Sequence, residues 1–187
     1  MLADEIMQVR EHSDLLVSAR DVQDALDVLA HAIADVCAGS VPVALCVMNG
    51  GLFTTSELAR RWEFPLQMDY LQVTRYGGGT RGGELTWLAR PQTHLAGRTV
   101  LVIDDILDRG NTLAEVLQWC RRAGARQVLS AVLVDKAVTV PRPLAADFVG
   151  LRCADRYLYG CGMDYRGYWR NLPAIHAVRA EYLARQS

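Results

Sequence analysis

The stretch VLVIDDILDRGNTL, Val100 to Leu113, decides the fold. Thr99 to Asp104 is a continuous apolar run ending on acid, which reads as a strand buried on both faces. Asp105 and Asp108 follow, and Arg109, Gly110, Asn111 and Thr112 lead into a helix expected over Thr112–Arg122. Leu113, Val116, Leu117 and Cys120 share one face of that helix, and Gly124 lies just past its end. A strand, a glycine turn and a helix start together form an anion cradle, because amides at the helix start point toward the incoming charge. Thr112 can add a hydroxyl donor, and the paired carboxylates suit sugar hydroxyls or a hydrated Mg²⁺. One acid here would be an ordinary cap favoured by the helix dipole. Three acids around a glycine turn fit that poorly, since the carboxyl ends of such strands are where α/β sheets bind ligands.

Outward from this stretch the same alternation continues. Val22, Leu26, Leu29, Ile33 and Val36 recur at helical spacing between Ser18 and Cys37, with Ser18 and Asp21 as a capping pair and Gly39 as the stop. VPVALCVM, Val41 to Met48, reads as a fully buried strand running straight into Asn49, Gly50 and Gly51. A short helix is expected over Thr54–Arg61, then strands over Leu66–Val73, Glu84–Ala89 and Gln127–Val134. Asp147–Cys153 and Arg156–Gly160 are shorter strand candidates, and the tail IHAVRAEYLARQS reads as a short strand and then a helix. Buried strands alternating with helices predict an α/β fold, a mostly parallel sheet with helices on both sides.

The chain has 187 residues, with 51% hydrophobic and 22% charged, which predicts one ordinary globular domain. Such a length buries roughly 70% of the unfolded surface and needs no disulfide or metal staple. Lys+Arg 20 against Asp+Glu 21 gives a net charge of −1, which argues against a nucleic-acid partner. The longest apolar run is too short to span a bilayer, and the acidic start MLADEIMQVREHSD is unlike a signal peptide, so neither a membrane partner nor export is expected. Five cysteines, an odd number without a CxxC pair, read as buried thiols in a cytoplasmic protein. No internal repeat, low-complexity tract or interdomain linker interrupts the chain. Gly77, Gly79 and Gly82 match the dinucleotide fingerprint GxGxxG literally. The fingerprint requires a helix after its third glycine, and ELTWLAR has strand composition instead. The better reading of RYGGGTRGG, Arg75 to Gly83, is a loop between antiparallel strands that serves as a lid.

VLVIDDILDRGNTL resembles the phosphoribosyl-pyrophosphate motif of the type I phosphoribosyltransferases, four apolar residues, two acids and a D-x-G-x-T loop. VMNGG upstream, and LVDK, ADFVG and DRYLYGCGMDYRGYWRNLP downstream, are similar in order and kind to the hypoxanthine-guanine branch of that family. The resemblance covers about Val41 to Leu172. It implies one domain over residues 1–187, with a small hood built mainly from about residue 150 onward plus the N-terminal segment. It also implies a purine salvage enzyme that transfers the 5-phosphoribosyl group from phosphoribosyl pyrophosphate to hypoxanthine or guanine, with xanthine left open. The products are IMP or GMP and pyrophosphate, Mg²⁺ is the cofactor, and the assembly is a dimer or tetramer. A regulatory protein that kept the fold and lost catalysis is the alternative, opposed by the joint presence of Asp108, Lys136, Asp164 and Arg170.

Residue roles come from the same resemblance. Asp104 and Asp105 meet the ribose hydroxyls and, with Asp164, the metal. Asp108 is the catalytic acceptor of the purine N7 proton, and Asp108, Arg109, Gly110, Asn111 and Thr112 wrap the 5′-phosphate. Asn49, Gly50 and Arg170 bind the pyrophosphate, with a cis Met48–Asn49 peptide expected. Lys136 donates to the purine O6, Tyr157 stacks on the ring, and Leu158 and Asp164 meet its edge. Arg75 and Tyr76 open the lid. Arg109, Asn111 and Asn49 depart from the family pattern, the last replacing a frequent lysine.

Overall fold

The computed structural model describes residues 2–75 and 85–185. Along the chain run α1 (Leu2–Gln8), β1 (Ser13–Val17), α2 (Ala19–Cys37), β2 (Val43–Met48), α3 (Gly51–Ala59), β3 (Gln67–Arg75) and β4 (Leu85–Ala89). They are followed by β5 (Thr99–Leu107), α4 (Asn111–Arg122), β6 (Gln127–Ala137), β7 (Phe148–Ala154), β8 (Leu158–Tyr159), β9 (Ile175–Val178) and α5 (Ala180–Ala184). The central sheet has the order β4-β3-β2-β5-β6-β7. Its pairs are parallel, apart from the antiparallel β3–β4 at one edge. The expected α/β architecture is therefore present.

Side-chain alternation along β5 assigns the helices to opposite faces. Leu101 and Ile103 pack with Leu26, Leu29 and Ile33 of α2 and Leu58 of α3. Val100 and Val102 point the other way, onto Leu113, Val116 and Leu117 of α4. Both sets are fully buried, which is why β2 and β5 read as unbroken apolar runs.

Several boundaries differ from the sequence expectation. Ser18 caps α2 as expected, its Oγ accepting the Asp21 amide at 3.2 Å and donating to the Asp21 carboxylate at 2.6 Å. The far end does not stop on Gly39. A 3₁₀ turn over Ala38–Ser40 tightens the exit, and the left-handed residue is Val41, with φ 47°. Val36 is exposed, and Cys37 takes the buried position instead. Helix α3 begins at Gly51 and not at Thr54, because Gly50 caps it and Gly51 is its first residue.

A smaller layer crosses the carboxyl end of the sheet. Strands β1, β9 and β8 form an antiparallel sheet in that order. Ile6, Val9, Tyr159, Tyr165, Val178 and Tyr182 make its core. Strand β7 belongs to the central sheet, so the C-terminal share of this layer starts after Ala154. The Trp169 indole donates to the Ile6 carbonyl at 2.7 Å, the Tyr165 hydroxyl bonds Glu5 at 3.2 Å, and Arg166 pairs with Glu5 at 2.6 Å. Helix α1 is thereby fastened to the loop between β8 and β9. Among the described residues no helix is long and apolar enough to cross a membrane. All five cysteines are free and buried.

Candidate active site

Strand register brings the polar residues together. In the β5–β6 pair Leu107 faces Asp135, and in the β6–β7 pair Lys136 faces Cys153. Continued by one residue, the first register sets Asp108 beside Lys136. The carboxyl ends of β2, β5 and β6 and the smaller layer enclose a cavity of about 360 Å³. Asn49, Gly50, Asp104, Asp105, Asp108, Lys136, Tyr157, Leu158, Asp164 and Arg170 all line it. An adjoining cavity of about 340 Å³ shares Asp104, Asp105 and Asp108 and adds Arg109, Gly110, Asn111 and Thr112. Arg75 closes β3, and Tyr76 and the glycines of the expected lid lie outside the described residues.

The glycine turn before α4 is present as the sequence implied. Gly110 stands before α4 at φ 78° and ψ −4°, a left-handed conformation that costs a glycine little. The helix starts at Asn111, so the amides of Asn111 and Thr112 belong to its first turn, at the positive end of the helix dipole. On the opposite wall the Met48–Asn49 peptide is cis, as expected. Gly50 is clamped there. A Cβ on it would fall 2.3 Å from the Asp105 carboxylate, and one on Gly162 would fall 2.1 Å from the Gly50 carbonyl.

Asp104 and Asp105 are adjacent carboxylates, the second buried and the first half-buried. Burial, and then the charge of Asp105, push the Asp104 carboxyl well above the usual carboxylate range. Burial also raises Asp105, opposed by its hydrogen bond with Asp104 and by Arg170. The pair therefore keeps a proton to a higher pH than isolated acids would, because burial and repulsion both disfavour two charges. Arg170 is the nearby cation. Its guanidinium pairs with Asp164 at 2.5 Å, donates to the Gly162 carbonyl at 2.6 Å, and stands 3.9 Å from Asp105. Asp164 also accepts the Gly167 amide at 2.6 Å. Asp104, Asp105 and Asp164 thus share one pocket, but among the described residues no three acidic, histidine or cysteine side chains form a metal cage.

At the other end of the cavity the Lys136 ammonium lies 3.3 Å from Asp108 and 3.1 Å from Asp155. Lys136 is the chain's single lysine, every other member of the Lys+Arg 20 being arginine. Tyr157 has its ring half-exposed and edge-on to Tyr165 at 5.6 Å, leaving a face for a planar ligand. Leu158 is buried in β8 beside it. Sequence reading passed over Asp155 and Arg156. Arg156 also lines the cavity and bonds Asp14 at 2.7 Å, together with the carbonyls of Ala177 and Val178. Its partners are remote in sequence, so no local signal marks it. Asp155 heads the stretch DRYLYG, and its acidity beside an aromatic was the one available sign.

Comparison with known proteins meets this geometry. Residues 18–166 match the family described as the phosphoribosyl transferase domain. The hypoxanthine-guanine phosphoribosyltransferase of Streptococcus thermophilus (strain CNRZ 1066) is 30% identical, over 94% of this chain and 98% of that protein. The chain belongs to the phosphoribosyltransferase family, in its hypoxanthine-guanine branch. The hypoxanthine-guanine phosphoribosyltransferase of Bacillus subtilis (strain 168) is 29% identical over 92% of this chain and 97% of its own. A hypoxanthine phosphoribosyltransferase crystal structure from Staphylococcus aureus superposes with a TM-score of 0.85 at 27% identity, covering 90% of this chain and 92% of that one. The phosphoribosyltransferase fold of the chain thus extends well beyond the motif that first suggested it.

Proposed function

We propose that this phosphoribosyltransferase moves the 5-phosphoribosyl group from phosphoribosyl pyrophosphate to hypoxanthine or guanine, giving IMP or GMP and pyrophosphate. The observation that carries this reading is the pairing of Lys136 with Asp108 at 3.3 Å, in one cavity with Tyr157 and beside the Gly110 turn. That arrangement offers a cation for a ring carbonyl, a carboxylate for a ring N–H, an aromatic face, and a cradle for a terminal phosphate. An ammonium has donors and no acceptor, so Lys136 favours a 6-oxo group over a 6-amino group. Xanthine, which shares the 6-oxo edge, is a further acceptor to be tested.

The bond between C1′ and the pyrophosphate oxygen breaks, a bond from C1′ to a purine nitrogen forms, and the purine gives up one proton. Asp108 accepts that proton from N7, while Lys136 holds O6. Tyr157 and Leu158 orient the ring, which raises the fraction of productive encounters. The first-turn amides of α4 hold the 5′-phosphate, and Arg170 and the Asn49–Gly50 loop hold the pyrophosphate.

Mg²⁺ fits the residues present. Asp105 is buried and Asp104 half-buried, burial raises both carboxyls and the charge of Asp105 raises Asp104 further, and a hydrated divalent cation would supply the missing positive charge. Asp104, Asp105 and Asp164 would hold it largely through water, and when bound it neutralises charge on the departing pyrophosphate. Five free, buried cysteines suit the reducing cytoplasm. Leu52, Met68 and Tyr70 lie exposed on α3 and β3 and support a homo-oligomer, a dimer or tetramer. The net charge of −1 supports small-molecule partners and not nucleic acid.

Pyrophosphate release is the decisive assay, with Mg²⁺, phosphoribosyl pyrophosphate and each of hypoxanthine, guanine, xanthine and adenine. Release with the first two and little with adenine is expected. Binding of phosphoribosyl pyrophosphate without release on any purine would favour the regulatory reading. Asp108→Asn is expected to keep phosphoribosyl pyrophosphate affinity and lower kcat by about 10²-fold or more, the usual scale of a general base. Unchanged turnover would remove Asp108 from that role.

A further inference from the structure

Lys136 contacts two carboxylates, and the reaction accounts for only one of them. Its stem is buried at the end of β6, with the side chain 14% exposed, so the ammonium cannot swing out to solvent as a surface lysine would. Asp108 lies 3.3 Å away on one side and Asp155 3.1 Å away on the other. Asp155 reaches this place through the sheet, two residues past Cys153, which pairs with Lys136. Arg156, the cation next to Asp155 in sequence, is directed elsewhere, to Asp14 at 2.7 Å and to backbone carbonyls of β9.

This geometry contains a conflict. Lys136 has three donors and can hold O6 while still paired, but Asp108 loses its charge when it takes the N7 proton. Protonation thereby parts the ion pair. If Asp108 were the ammonium's one partner, parting it would leave a largely buried cation with no anion at its side, which is costly. Asp155 supplies the second anion. We infer that Asp155 is a positioning residue for Lys136, keeping the ammonium neutralised and aimed while Asp108 takes the purine proton.

This inference rests on the purine-transfer reading above, and the test separates the two. Asp155→Asn keeps the size of the side chain and removes its charge. The KM for hypoxanthine and guanine is expected to rise about tenfold, the scale of losing one charge-assisted hydrogen bond, while the KM for phosphoribosyl pyrophosphate stays within about twofold. Asp155→Glu is expected to restore most of the loss. In a Lys136→Met background Asp155→Asn should have no further effect on purine KM, since the cycle isolates coupling between the two residues. A merely structural role would raise both KM values together and persist in that background, and either result overturns the inference. The single lysine gives a readout free of turnover. Protein labelled with ¹⁵N-lysine carries one Nζ signal, and Asp155→Asn is expected to move it and to speed exchange of its protons with water. An unmoved signal overturns the contact itself, whatever the enzyme does. Wild-type protein that releases no pyrophosphate with any 6-oxopurine overturns the purine reading, and with it the role for Asp155.

Discussion

Asp104 illustrates how one residue sets stability against function. Burial and the charge of Asp105 raise its carboxyl well above the ordinary range, so ionising the pair works against the folded state. Asp104→Asn removes one of the two charges at similar volume. The ligand-free protein should become more stable, each 1 kcal/mol relieved raising Tm by roughly 2–4 °C in a chain this size. On the proposed role of Asp104 toward sugar and metal, turnover should fall. Calorimetry beside the pyrophosphate assay checks both, and an Asn variant with lower Tm would contradict the strain described for this pair. Asp104, Asp105 and Asp108 were legible in sequence because each sits on one short motif with fixed local geometry. Asp155 was not, since its importance lies in a partner across two strands. Asn49 was legible as a departure, and its cis peptide is as the family resemblance implied.

Elements of the central sheet were legible for a physical reason. Strands buried on both faces show as unbroken apolar runs, and α2 and α4 carry one apolar stripe each. Strand β1, by contrast, has only half-buried or exposed residues, and it exists because β9 offers it an edge. Helix α1 was likewise missed, being seven residues long and dependent on the β8–β9 loop. That dependence has a functional side. The loop fastened by α1 carries Asp164 and Arg170, so its position relies on contacts outside the pocket. Trp169→Phe removes the indole donor and leaves the Ile6 carbonyl without that bond, a loss of about 1–2 kcal/mol. The KM for phosphoribosyl pyrophosphate is expected to rise several-fold, as the Arg170 loop loosens, with the purine KM little changed. Steady-state kinetics in both substrates check this, and equal changes in the two would point to general destabilisation.

Across the whole molecule, Asp14 ties three segments together. It bonds Arg156 at 2.7 Å and Arg179 at 2.8 Å, joining β1 to the segment before β8 and to the start of α5. Hydrogen bonds from Arg179 and then Arg156 hold its carboxyl below the usual value. A folded-state value below the unfolded one gives stability that is present above the unfolded value of about 3.9 and is lost as pH falls through the folded value. Unfolding curves of wild type and Asp14→Asn should therefore differ near neutral pH and converge in acid. High salt should narrow the gap, because the group is exposed and screened. Parallel curves at every pH would contradict the assignment.

The Arg179–Asp14 bond also closes a sequence separation of 165 residues. A ribosome delivers β1 long before β9, so the nascent chain holds an unpaired strand edge through most of synthesis. Contacts this distant are slow to form, because chain entropy must be spent before they stabilise anything. The central sheet and α2 can assemble first, and the roof over the pocket arrives last. A stalled or truncated chain would accordingly keep its Gly110 turn and lack the wall of Tyr157 and Leu158, an incomplete enzyme with an exposed edge for chaperones to recognise.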